Sequence, residues 1–123
     1  MKSSLDERRR CELAEEGNEM PEIYTVGIWA VKAGREEEFV AAWSAMGEAT
    51  IAEFPAAHGR LLRDLDNPGR FVSFGPWESL EVVEEWRASP PFKEGVERIR
   101  DLIDGFEPGT YEVSAEVSAS SSR

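Results

Sequence analysis

"FGPWESLEVVEEWRASPPFKEGVERIR", residues 74–100, holds a strand end, a helix, a break and a second helix. Trp77 closes the β-rich run "RFVSFGPW" (70–77), and the charged stretch "ESLEVVEEWRAS" (78–89) reads as a short helix with Trp86 near its end. Ser89 can cap a second helix beginning at Pro90, because proline fits the first helical position, whose N–H has no intrahelical partner anyway. Phe92, Val96, Ile99 and Ile103 then recur at helical spacing, Gly105 ends the run, and "GTYEVSAEV" (109–117) supplies a last strand.

The residues upstream repeat the pattern. "EIYTVGIWAV" (22–31) is a strand that stops at "KAG", where Gly34 allows a tight entry into a helix with "REEE" (35–38) as its first turn. Phe39, Trp43, Met46, Thr50 and Phe54 give that helix one apolar face, which ends before Pro55. "HGRLLRDL" (58–65) and "RFVSFGPW" form an antiparallel hairpin across "DNPG", with Pro68 and Gly69 at the centre of a type II turn. Strand, helix, strand, strand, helix, strand is an α+β order, the ferredoxin-like split βαβ arrangement with a four-stranded antiparallel sheet. Helices on one face leave the other uncovered. If that open face carries Trp29, Val31 or Leu62, a symmetric homodimer is the economical cover.

Composition limits the function. The chain has 123 residues, enough for one domain and one core. Residues 1–20 are polar without an apolar period, which predicts a disordered N-terminal extension in which Met20 is a second candidate start; residues 118–123 read as a disordered tail around a domain at 21–117. A net charge of −11 argues against a nucleic-acid partner, which needs a basic stripe. No apolar run approaches the roughly 20 residues of a membrane span, so no membrane partner is expected. One cysteine, Cys11, cannot form an internal disulfide, and a cytoplasmic setting is the simpler expectation. Its polar surroundings do not suggest a nucleophile. There is no cysteine pair or histidine cluster for a metal and no Gly-rich phosphate loop, so the expected metal and cofactor are none.

"WAVKAGREEEFVAAW" (29–43) and "FVSFGPWESLEVVEEWRASPPFKEG" (71–95) resemble the antibiotic biosynthesis monooxygenase (ABM) domain, over roughly residues 22–117. The second stretch is the more specific, with a Trp-Glu-Ser helix entry, a tryptophan at the helix end and a Ser-Pro-x-Phe-Lys continuation. The resemblance implies a dimeric α+β barrel and, in several members, oxidation of electron-rich polycyclic phenols by O2 without metal or flavin. The related haem-degrading monooxygenases also have a tryptophan matching Trp77, but their strand asparagine falls at Gly27 and their haem-ligating histidine at Val96. Valine cannot ligate iron.

Cofactor-free oxygenation needs a dry aromatic slot, a proton acceptor and donors that hold the resulting anion. Trp77, Trp29, Phe74, Phe92 and Trp86 are the slot candidates, binding a small aromatic ligand by stacking and burial. His58, the one imidazole, is the candidate proton acceptor, and alternation puts Arg60 on the same strand face as a candidate oxyanion holder. Each has a plain structural counterpart: tryptophans on apolar faces fill cores, His58 fits an exposed strand edge, and Arg60 fits a surface ion pair. On spacing, Trp86 shares a helical face with Leu80 and Val83 and is expected to pack, whereas Trp77 is expected to wall a pocket. Two functions follow as expectations: a cofactor-independent monooxygenase of small aromatic, phenolic or quinol-like substrates, and a non-catalytic dimeric barrel binding a small apolar ligand.

Overall fold

The computed structural model describes residues 22–117; the expected extension at 1–20 and the tail at 118–123 lie outside the described residues. Strand β1 (Ile23–Val31) alternates strictly, burying Ile23, Thr25, Gly27, Trp29 and Val31 against the helices. Gly34 then adopts φ 85°, the left-handed conformation that favours glycine, and its N–H is accepted by Glu36 Oε1 at 3.0 Å. Helix α1 (Glu36–Glu53) follows, with Glu36, Glu37 and Glu38 complementing its N-terminal dipole. Hydrogen bonding to the exposed Arg35 guanidinium, with its charge, holds the Glu38 carboxyl below its ordinary range. Phe39, Met46 and Thr50 form the buried face, and the helix stops at Phe54, before Pro55.

Strand β2 (Arg60–Arg63) is shorter than its sequence run, leaving His58 and Gly59 before it. The hairpin to β3 (Arg70–Trp77) forms as expected, but not through a type II turn. Arg70 N–H is accepted by Asn67 O at 2.8 Å, yet Gly69 is not at positive φ. The loop is organised by Asp64, whose Oδ1 accepts from Asp66 N and Asn67 N, a side-chain mimic of a backbone turn. Pro76 is tolerated in β3 because β2 ends at the Arg60–Phe74 pair, leaving that stretch one strand neighbour.

Helix α2 (Leu80–Arg87) is capped by Ser79, whose hydroxyl accepts from Val82 N. Ser89 occupies the N-cap position of α3 (Pro90–Ile99) but does not cap it: its buried hydroxyl donates back to the Trp86 carbonyl at 2.6 Å, tying the end of α2 instead. The second helix also ends sooner than its apolar spacing predicts. A 3-10 turn (Arg100–Leu102) intervenes, and β4 (Ile103–Glu112) begins two residues before Gly105, so Ile103 is a strand residue and Gly105 does not end a helix. Pairing with β1 takes these residues instead, and Lys32 N–H meets Leu102 O at 2.9 Å where β1 ends and β4 begins beside it.

The sheet order is β2-β3-β1-β4, with both helical crossovers on one face. Trp29, Val31, Phe39, Met46, Phe71, Ile99 and Leu102 make the core between sheet and helices. Trp29 and Val31 are thus core residues and not part of the open face. That face instead presents Tyr24, Val26 and Ile28 from β1, Val72, Phe74 and Pro76 from β3, and Arg60 and Leu62 from β2, as the strand register and alternation require. Among the described residues no helix is long and apolar enough to cross a membrane.

Candidate functional site

Between the sheet and α1 a pocket of about 310 Å³ opens beside the core, within the size range of small-molecule sites. Its floor is the helix-facing side of β1 and β3: Thr25, Gly27, Trp29, Ser73, Gly75 and Trp77. One wall is α1, with Trp43, Met46, Gly47, Thr50 and Ile51; the other combines Trp86, Arg87 and Phe92 with Phe106 and Pro108 of β4. Ala57, His58 and Gly59 cross the mouth. They pass so close to the sheet that a Cβ on Gly75 would lie 2.2 Å from the His58 carbonyl oxygen, so glycine at 75 sets where the histidine stands.

The aromatic groups hold one another. Trp29 stacks on Phe106 with ring centroids 3.9 Å apart, Trp77 meets Trp86 at 4.8 Å, and Trp86 meets Phe92 edge-on at 4.6 Å. Each of these three indoles donates its N–H to a hydroxyl at 3.0 Å: Trp29 to Ser73 Oγ, Trp77 to Thr25 Oγ1 and Trp86 to Thr50 Oγ1. An indole can only donate, so three donors that apolar walls would otherwise strand are satisfied inside the pocket.

The structure therefore brings Trp77, Trp29, Phe92 and His58 to one pocket. Phe74 borders it, but its pairing with Val26 and Arg60 puts its side chain on the open face, opposite Ser73 and Gly75 in the alternation. Arg60 is not a lining residue. His58 precedes β2, so strand alternation does not link the two, and Arg60 shares the open face with Phe74. His58 itself is exposed at the mouth. Trp86, expected mainly to pack, is half-buried and lines the pocket with Trp77, while Leu80 of the same helix is 54% exposed and Val83 is buried.

Sequence reasoning missed Thr25, Thr50, Ser73, Trp43, Phe106 and Arg87. The two threonines carried a usable signal, since each interrupts an otherwise apolar buried face. Arg87 had none: its guanidinium reaches Thr110 Oγ1 at 2.7 Å and the Gly109 carbonyl at 3.3 Å, contacts made only when α2 meets β4.

The family model for antibiotic biosynthesis monooxygenase matches residues 23–98. The chain belongs to this family. ABM-type folds are likewise its structural neighbours: SnoaB, a cofactor-independent oxygenase from Streptomyces nogalater, superposes with TM-score 0.67 at 22% identity, over 82% of this chain and 99% of that one. A Nitrosomonas europaea protein grouped with the antibiotic biosynthesis monooxygenases gives TM-score 0.65 at 19% identity, over 76% and 99%. One from Bordetella bronchiseptica gives 0.66 at 19%, over 80% and 100%. No curated protein matches by sequence.

The pattern of the related haem-degrading monooxygenases does not fit these residues. Val96, at the ligand position, packs against the core and does not line the pocket. At Gly27 a Cβ would lie 2.9 Å from Ser73 Oγ and 3.1 Å from Phe106, leaving no room for asparagine. Among the described residues no cluster of histidine, cysteine and carboxylate side chains is placed to hold a metal ion.

Proposed function

We propose that this ABM-family chain is a cofactor-independent monooxygenase of a small planar phenol or quinol, acting as a homodimer. The observation that carries the reading is the open pocket walled by Trp29, Trp43, Trp77, Trp86, Phe92 and Phe106, a slot for a flat ring system. The chemistry asks for no electron donor besides the substrate. A ring methylene made acidic by its phenol loses a proton, its carbanion reduces O2, and CH2 plus O2 become C=O plus H2O. His58, at the mouth, is the proposed proton acceptor, an imidazole being able both to take and to return a proton.

The test is O2 uptake by the chelator-treated, flavin-free protein with a panel of polycyclic phenols and quinols. Uptake matched to product, lowered about 10²–10⁴-fold by His58→Ala with ligand affinity retained, is expected. A rate unmoved by that substitution would remove His58 from the mechanism.

A second reading, a barrel that binds a small apolar ligand without turnover, is favoured by the exposure of His58 and by the absence, among the described residues, of a hydrogen bond from it to a pocket hydroxyl. Its signature is a ligand that raises the melting temperature while no O2 is consumed.

A further inference from the structure

The cation expected to hold the substrate anion, Arg60, stands on the opposite face of the sheet, and the floor of the pocket offers hydroxyls instead. We propose that Thr25 and Ser73 form a donor cradle that binds an oxygen of the planar ligand, a phenolate or quinone-type carbonyl, between the tryptophans. The inference rests on the reading of this pocket as a planar-phenol site and names the atoms that recognise the phenol oxygen.

A hydroxyl has one proton and two lone pairs. Thr25 Oγ1 spends a lone pair on the Trp77 N–H and Ser73 Oγ spends one on the Trp29 N–H, both at 3.0 Å. Each proton is left over, and among the described residues neither hydroxyl donates to a protein acceptor. Thr25 is only 9% exposed, so bulk water satisfies it poorly, and a buried polar group without its partner is unfavourable. A ligand oxygen supplies that partner.

The register places both hydroxyls for the task. Thr25 lies opposite Gly75 and Ser73 opposite Gly27, so the two face the pocket diagonally across the β1–β3 pair, each with a glycine opposite. Diagonal neighbours stand about 7–8 Å apart, somewhat closer at Cβ, and the hydroxyls reach inward from there, a gap that one oxygen or two oxygens of one ring system can bridge. The two glycines act differently: Gly75 makes room for the His58 carbonyl that crosses it, and Gly27 leaves the Ser73 hydroxyl uncovered by a side chain. A Cβ on Gly27 would come within 2.9 Å of Ser73 Oγ and 3.1 Å of Trp29 Nε1, covering that hydroxyl.

Rigidity follows from the stacking. Trp29 is clamped by Phe106 and Trp77 by Trp86, so the indole donors are fixed, and through them the hydroxyl rotors. Donors already aimed need no reorganisation when charge appears on the ligand oxygen. A phenolate therefore gains more than a phenol, and an aryl methyl ether, with a weaker acceptor behind a methyl group, gains least.

The experiment uses 1-naphthol and its methyl ether with the full chain, following affinity by fluorescence and the ionisation of bound naphthol by absorbance across pH. The parent is expected to prefer the naphthol by about tenfold, the worth of roughly one charged hydrogen bond, and to bind it with a lowered phenolic pKa. Ser73→Ala and Thr25→Val should each shrink the preference and return the pKa toward its free value, while Thr25→Ser should keep both. Thr25→Val strands the Trp77 N–H and Ser73→Ala the Trp29 N–H, so the melting curves of both are recorded, and whichever of the two folds decides the matter against Thr25→Ser, which keeps its acceptor. Naphthol and ether bound equally well by the parent, or a preference surviving in Ser73→Ala, would overturn the cradle and leave the planar pocket standing. Failure of the parent to bind either probe would overturn both.

Discussion

At the residue scale the decisive feature is the pairing of each pocket tryptophan with a hydroxyl. Thr50 is the most exacting case, because it is buried on α1 and receives the Trp86 N–H across the pocket at 3.0 Å. Thr50→Val keeps the shape and removes the acceptor, so it leaves an indole donor stranded between Trp77 and Phe92. We expect a loss of about 1–3 kcal/mol in chemical denaturation, the range for a buried donor without its partner. Thr50→Ser, which retains the oxygen, should recover most of it. Equal stability for the valine and serine variants would mean that Trp86 finds water and that the pocket wall is looser than the geometry implies. The same bond explains why Trp86 resisted a reading from spacing. Its helical neighbours suggested packing, whereas its partner lies 36 residues away in the chain.

At the element scale the pocket depends on how closely α1 and α3 approach. Gly95 sits against Met46, and a Cβ there would fall 2.4 Å from the methionine Cγ and Sδ and 2.8 Å from its Cβ. Two effects oppose each other in Gly95→Ala. Alanine is favoured over glycine inside a helix by about 1 kcal/mol, while overpacking a filled core costs about 1–3 kcal/mol. Met46 is only 5% exposed and itself lines the pocket, so it has little room to withdraw, and the clash wins. Thermal unfolding should therefore show a lower melting temperature and weaker binding of a planar ligand, since α1 is pushed from its place over the sheet. An unchanged or raised melting temperature would contradict the close approach. Element types and order were legible from apolar periodicity, and the boundaries were not. The α3 apolar spacing continues to Ile103, but strand pairing with β1 claims that residue, an interaction no local pattern contains.

At the scale of the whole molecule the unsolved surface is the open sheet face. Val26, Ile28, Val72 and Phe74 lie on it together, and Leu62 is 49% exposed. An apolar sheet face of this kind is stable in water when covered, and a second copy of the chain supplies a self-complementary cover. Light scattering at micromolar concentration should give twice the 13.8 kDa chain mass, and Phe74→Glu should shift the population toward monomer without unfolding it. A parent that is monomeric at that concentration ends the dimer proposal. The assignment of Phe74 thereby changes in kind, from a pocket wall to a residue of the covered face.

What the sequence determined by itself is what depends on neighbours along the chain. Apolar residues spaced by two or by three and four announce strands and helices, Pro55 and Pro90 mark helix ends, and the order of elements selects the split βαβ fold, because few topologies bury those faces without crossing connections. Trp77, Trp29, Phe92 and His58 could be nominated for a pocket on residue type alone. Which of them share it was decided in three dimensions. The β2–β3 register sends Arg60 and Phe74 to the open face, the crossing of the 57–59 segment over Gly75 leaves His58 at the mouth, and the indole–hydroxyl bonds join residues 36 to 52 positions apart. A one-residue change of register exchanges the two faces of a strand, so the membership of this site was a property of the packed sheet and helices rather than of any segment.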